Sequence, residues 1–140
     1  KGRRVVASMP SEQVKMMSIS FPAASKETEM ASIARLAGDR LSDDLANYAV
    51  EYIPIRQSAR EGERLGLIVL SPKESVYRFL DLLASAGLSV DALEISPVAL
   101  RRFIAASNRP VDETLLMMNT GPESTYLSLM AGRRCCLINR

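Results

Sequence analysis

Residues 65–100 read LGLIVLSPKESVYRFLDLLASAGLSVDALEISPVAL and carry the clearest indication of the fold class. Residues 65–70 are apolar on both faces apart from Gly66, which is typical of a central, covered strand. A helix, a second strand over residues 90–95 and a further helix from Ser96 are predicted to follow. This alternation of strands and helices predicts an α/β fold.

The first helix of this stretch has the strongest local signals. Ser71 and Glu74 can form a reciprocal capping box, and Pro72 suits the first helical position. Gly87 supplies the left-handed residue beyond the end of the helix. Its predicted apolar face comprises Val76, Phe79, Leu80 and Leu83, and that of the helix from Ser96 comprises Leu100, Phe103 and Ile104.

Two strands and a helix are predicted near the beginning of the chain. The strands, residues 5–9 and 14–21, are predicted to pair with each other. The helix is predicted over residues 26–41, with Ser25 as its N-cap. Its predicted apolar face comprises Met30, Ile33, Ala34, Ala37 and Leu41.

An edge strand and a loop connect this helix to the central strand. Residues 48–55 have a strand pattern, and Pro54 suits an edge strand or a strand end because it cannot donate to a ladder. The polar loop over residues 56–64 has Gly62 as its pivot. Beyond residue 110 the sequence predicts a three-stranded meander over residues 115–118, 126–130 and 135–138.

The composition excludes several kinds of active site. The 140 residues carry a formal net charge of +2 and no histidine, which rules out Ser-His-Asp catalysis and histidine-ligated metals within this sequence. Cys135 and Cys136 are adjacent on a predicted strand, so they point to opposite faces and one site cannot easily use both. Glu51 and Glu94 are isolated acids in strands and receive no acid–base role. Because positive and negative residues are interspersed, neither nucleic acid nor an anionic membrane is an expected partner.

One segment has the composition of a ligand loop. Residues 119–125 read NTGPEST and lie between two predicted strands. A hairpin with a glycine and hydroxyl residues can direct backbone amides at a phosphate, and Ser or Thr can donate to its oxygens or bind Mg²⁺. An ordinary hairpin turn has the same residues, so composition alone leaves both interpretations open.

The pattern of elements resembles the PilM family, actin-like proteins of type IV pilus assembly, and their MSHA-pilus and FtsA-like relatives. The similar features are the strand and Ser-Pro-Lys of residues 65–73, the helix that closes on Ala-Gly-Leu at 86–88, the strand DALEI at 91–95 and the helix opening at 99–101. Residues 5–10 and 19–22 also resemble that family's paired strands before its inserted subdomain. The resemblance implies an interior fragment of an actin-like, ribonuclease H-like α/β fold.

The resemblance implies a nucleotide-facing role for the hairpin. Asn119, Gly121, Ser124 and Thr125 match the second phosphate hairpin of the actin fold, Asp-x-Gly-x-x-x-Thr, so that Gly121 and Thr125 would face phosphates. Asn119 replaces the aspartate of the family, and Pro122 removes one backbone donor. We therefore expect no catalytic residue, no bound metal and no cofactor in this fragment, while ATP and magnesium stay open for the full-length protein.

The expected organisation has three parts. Residues 1–88 are expected to form a small inserted β-β-α-β-β-α subdomain with its flanking strands. Residues 89–110 are the returning strand and helix of the first large domain, and residues 111–140 are the opening β-meander of the second. This division follows from the family resemblance and from the change of pattern near Ser89.

The function implied by the resemblance is that of a non-catalytic scaffold in a type IV pilus or type II secretion-like assembly complex. The implied partner is the cytoplasmic tail of a PilN-like inner-membrane protein. The scaffold would be cytoplasmic, peripheral to the inner membrane through that partner, and free to self-associate. The alternatives are a nucleotide-binding actin-like ATPase or switch, and a ferredoxin-like small-molecule regulatory domain.

Overall fold

The computed structural model describes residues 3–22, 28–55, 62–106, 114–121, 125–131 and 134–139. Their helices and strands follow the predicted order. They are β1 (Arg3–Ser8), β2 (Lys15–Pro22), α1 (Glu29–Gly38), β3 (Tyr48–Ile55), β4 (Glu63–Pro72), α2 (Lys73–Ser85), β5 (Leu88–Glu94), α3 (Ser96–Ala106), β6 (Thr114–Thr120), β7 (Thr125–Ala131) and β8 (Arg134–Asn139).

The strands form three ladders. β1 and β5 are parallel, β2, β4 and β3 form an antiparallel sheet with β4 in the middle, and β6, β7 and β8 form the predicted meander. The predicted position of β3 at a sheet edge, with Pro54 in it, is confirmed. Strand β8 passes near β3 but forms no ladder with it.

The predicted pairing of the first two strands is wrong. β1 pairs with β5, about 85 residues away in sequence, and β2 pairs with β4. A short 3₁₀ turn, Ser11–Gln13, separates them and directs them into different sheets. Because β1 lies outside the antiparallel sheet, the four strands up to residue 72 do not form the single unit that the ferredoxin-like alternative requires.

Strand β4 is buried on both faces, as its apolar sequence predicts. Leu67 and Val69 point to one side of the sheet, and Ile68 and Leu70 point to the other, where α1 packs. The α1-side cluster comprises Ile19, Phe21, Ile33, Ala37, Ile68 and Leu70. The opposite, groove-side cluster comprises Met9, Val14, Leu67, Val69 and Ile95, with Ile53, Val76 and Val98 packed against it. Each fully buried Leu or Ile contributes about 1.5–3 kcal/mol.

Helix α1 is shorter than predicted. It begins at Glu29, and the Thr28 hydroxyl caps it by accepting a hydrogen bond from the Ala31 amide at 3.3 Å. Ser25, the predicted cap, lies outside the described residues. Ile33 and Ala37 are buried as predicted. Ala34 is exposed and Met30 is 70% exposed, so the prediction that they face the core is wrong.

The start of α2 differs from the predicted capping box. β4 continues through Pro72, which occupies the cap position and makes no side-chain capping bond. The Ser71 hydroxyl instead donates to the Gln13 carbonyl at 2.9 Å, and Glu74 pairs with Arg78. The left-handed residue after this helix is confirmed, since Gly87 has a φ of +76°.

Helix α3 is rotated relative to its predicted inner face. Val98 packs into the groove-side cluster, and Arg102, one turn further, reaches Glu94. These two contacts fix the rotation, so Phe103 is 72% exposed although it was predicted to point inward. None of the helices in the described residues is both long and apolar enough to cross a membrane.

Candidate functional site

The β6–β7 hairpin brings the predicted phosphate-binding residues to one end of a ladder. Thr120 lies opposite Thr125, and Asn119 lies opposite Tyr126. Gly121 follows β6 directly and is exposed. Three of the four predicted residues, Asn119, Gly121 and Thr125, therefore lie together at this end of the ladder. The fourth, Ser124, lies outside them.

Asn119 and Thr125 nevertheless occupy opposite faces of this hairpin. Directly opposed residues of an antiparallel ladder share a face. Asn119 is half-buried on the face of the buried Tyr126, while the exposed Thr125 shares the other face with Thr120.

The described donor groups of the β6–β7 hairpin suit an anion. Its described residues supply amide and hydroxyl groups and no carboxylate. In the described part of the chain, no three acidic, cysteine or histidine side chains come together as metal ligands. Since Mg²⁺ is usually held by one or two carboxylates, these residues could hold a phosphate but do not form a magnesium site of their own.

A second candidate site is an apolar groove on the other side of the central sheet. A cavity of about 470 Å³ lies between strand β3 and the segment that runs from β5 into α3. Its base is formed by Val69 of β4 and Ile95, both members of the groove-side cluster. The remaining apolar lining comprises Met9, Val14, Ala49, Val50, Tyr52, Ile53, Pro54, Val76, Ala92, Leu93 and Val98.

The groove runs along the edge of β3. The six consecutive residues from Ala49 to Pro54 all line the cavity. Successive side chains of a strand point to opposite faces, so a cavity that contacts every residue must lie beside the strand rather than above one face. β3 is hydrogen-bonded to β4 on its other side. The groove is therefore lined by strand backbone as well as by side chains.

Few polar side chains line this groove. Glu94 projects from β5 with its side chain only 9% exposed, and it contacts the guanidinium of Arg102 on α3. Glu51 of β3 lies on the opposite wall and shares a face with Ile53, which packs into the groove-side cluster. Ser71 completes the set and is held by its bond to the Gln13 carbonyl.

This site was not predicted from the sequence. Glu51 and Glu94 were each treated as an isolated acid without a partner at a predictable distance, and the structure brings them to one groove from strands of different sheets. One feature of the sequence could have pointed to the groove. Glu51 is an acid on the same face of β3 as the apolar Ile53.

Comparison with known proteins identifies the fold. No protein-family model matches the chain, and no curated protein matches it by sequence. A chain of the solved structure described as "PilM-PilN type IV pilus biogenesis complex" superposes on it with a TM-score of 0.73 and 24% identity. This chain has a PilM-like fold.

The PilM-like match extends over 98% of this chain. It covers 42% of the other chain, so the sequence spans less than half of that neighbour's length. The fold class expected from sequence, a fragment of an actin-like α/β fold, is thereby confirmed. The division into three parts and the phosphate-binding role of the hairpin remain predictions.

Proposed function

We propose that this chain is the partner-binding part of a non-catalytic pilus-assembly scaffold. Its partner would be an extended segment, the cytoplasmic tail of a PilN-like inner-membrane protein, and the tail would lie in the groove beside β3. The observation that carries the proposal is the run of six consecutive β3 residues along one cavity. The PilM-like neighbour belongs to a PilM-PilN complex, which supplies the class of partner.

Strand addition is the binding mode that suits such a groove. An extended peptide can pair with the backbone of an edge strand and place alternate side chains in adjacent pockets. Pro54 has no N–H to donate, so we expect its peptide group to face away from β4. Residues two apart on a strand direct their peptide groups to the same side, so Val50 and Tyr52 would offer theirs to the added strand.

The apolar base of the groove would provide much of the affinity. Alternate side chains of an added strand would cover Ile53, Val69 and Ile95, and burial of apolar surface contributes about 25 cal/mol per Å² before the cost of ordering the peptide. Attachment through such a tail would place the scaffold on the cytoplasmic side of the inner membrane.

A nucleotide-dependent switch is the second candidate function. The exposure of Gly121 and Thr125 at the end of the β6–β7 hairpin favours it, because both groups are accessible to a phosphate. Asn119 lacks the charge of the family's aspartate, so we expect no hydrolysis. Calorimetry of the full-length protein with ATP and magnesium, beside an Asn119→Asp variant, tests this candidate; turnover by the natural sequence would make it the better assignment.

A peptide titration tests the leading proposal. The full-length protein is titrated calorimetrically with a synthetic peptide of the PilN-like tail, in its natural form and as Ala49→Trp. Ala49 is exposed and lines the groove, so an indole at this position should block binding without removing a core contact. Ala34→Trp, on the exposed face of α1 outside the groove lining, is the matched control and should bind normally. Equal binding by both variants would contradict the proposal.

A further inference from the structure

The charges of the groove point to the chemistry of its occupant. We propose that Glu51 is a specificity-determining residue that selects a segment with a cationic group, and this inference rests on the proposed function. The cationic group is a lysine or arginine side chain or a terminal ammonium. In this arrangement the cationic group lies across from Glu51 in the added strand. The groove would then bind cationic apolar segments in preference to neutral ones.

The two carboxylates of the groove are not equivalent. Glu94 is nearly buried, and its charge is balanced by contact with Arg102. Glu51 is exposed, and among the described residues it makes no ion pair. The described lining thus carries two negative charges and one positive charge, and the uncompensated charge belongs to Glu51.

The position of Glu51 on β3 makes its carboxylate accessible to a segment bound in the groove. Glu51 lies opposite Val69 in the ladder with β4, and both residues line the groove. In a strand added to the free side of β3, the residue across from Glu51 would have its Cβ about 4.5–5.5 Å from that of Glu51. A lysine or arginine there reaches the carboxylate while its aliphatic stem covers apolar surface.

The apolar surroundings of Glu51 make its carboxylate favour a cationic side chain over a neutral one. A neutral apolar side chain across from Glu51 would crowd the carboxylate and displace water from it without replacing the lost hydrogen bonds. A cation replaces them with a charge-assisted pair. Because Glu51 is exposed, the expected preference is modest, about three- to fivefold in affinity.

The test is a two-by-two comparison on the full-length protein. The natural sequence and Glu51→Gln are each titrated with the PilN-like tail peptide and with the same peptide made neutral, by norleucine at each lysine and arginine and an acetylated amino terminus. Glu51→Gln should weaken binding of the natural peptide about three- to fivefold. It should leave binding of the neutral peptide unchanged or slightly tighter, because an amide loses less hydration than a carboxylate when it is covered. The difference should shrink as salt is raised, because exposed pairs are screened.

The control variant is Glu74→Gln, an exposed acid of α2 that pairs with Arg78 outside the groove lining. It should bind both peptides as the natural sequence does. Identical affinities of Glu51→Gln and Glu74→Gln for the natural peptide would overturn the inference, and so would equal weakening of both peptides by Glu51→Gln.

The Ala49→Trp variant separates this inference from the proposed function. If Ala49→Trp abolishes binding but Glu51→Gln has no effect, the groove is the site and only the cation preference fails. If Ala49→Trp binds normally, both fail. Sedimentation of the protein alone adds a third arm, because a dimer dispersed by Ala49→Trp and by Glu51→Gln would assign the groove to a second copy and overturn the inference.

Discussion

The Tyr52 ring of β3 lies against Gly66 of the central strand, and substitution of Gly66 by alanine tests this contact. A Cβ built on Gly66 would lie 2.1 Å from Cε2 of Tyr52 and 2.6 Å from both Cζ and the hydroxyl oxygen. Carbon atoms pack best at about 3.5–4.0 Å, so the Tyr52 ring would have to retreat by more than about 1 Å.

The contacts of the ring determine the cost of that retreat. The Tyr52 ring packs beside Phe21, with centroids 6.3 Å apart, so it cannot move without disturbing this contact. Overpacking costs about 1–3 kcal/mol, and a 2.1 Å approach belongs to the upper part of that range. Alanine in a strand recovers roughly 0.5–1 kcal/mol relative to glycine. We therefore expect Gly66→Ala to lower the free energy of unfolding by about 1–2.5 kcal/mol.

Urea denaturation measures this change against a matched control. A Cβ on Gly38, in the last turn of α1, meets nothing within 4 Å, so Gly38→Ala should be neutral or stabilising by up to about 1 kcal/mol. In the background of Tyr52→Ala, Gly66→Ala should lose most of its cost, since the clashing ring is absent. The reasoning is refuted if Gly66→Ala is as stable as Gly38→Ala.

Three further predictions concern the cap, the core and the tyrosine. Thr28→Ala should lower the free energy of unfolding by about 1 kcal/mol in urea, because it removes the cap of α1; an unchanged midpoint would contradict the capping bond. Ile68→Ala, at a fully buried position, should cost about 2–5 kcal/mol, and Val6→Ala, at a position 61% exposed, should cost far less; similar costs would contradict the burial pattern. Burial, with the neighbouring Glu29 carboxylate, raises the pKa of Tyr52 above its ordinary value of 10.0. The unfolded chain then loses this proton first, so stability should fall as pH rises above 10, and Tyr52→Phe should remove that part of the pH dependence, as unfolding curves at several pH values would show.

Short-range sequence patterns were sufficient to predict much of the fold. The bounds of β3 coincide with the predicted residues, and the burial of β4 on both faces follows from its unbroken apolar run. Gly87 has the left-handed conformation that a helix end favours. Each of these features depends on residues within a few positions of one another, which is the range that hydrophobic periodicity and backbone preference report.

The features that were predicted wrongly or missed all depend on residues that are far apart in the sequence. β1 pairs with a strand about 85 positions later, and no local pattern indicates that partner. The rotation of α3 is fixed by Arg102 reaching Glu94 and by Val98 packing beside the sheet, so an amphipathic pattern alone placed Phe103 on the wrong face. The groove was missed for the same reason, since its walls come from β3, β5 and α3 and exist only after these elements pack.

Hydrogen exchange of the full-length protein, with and without a saturating concentration of the PilN-like tail peptide, tests directly whether a peptide adds to β3. Strand addition gives new backbone hydrogen bonds to the outer side of β3, so the amides of Val50 and Tyr52 should exchange more slowly in the complex. This protection should disappear in Ala49→Trp and persist in Ala34→Trp. Unchanged exchange in β3, or protection confined to residues 119–125, would show that the tail does not bind beside β3.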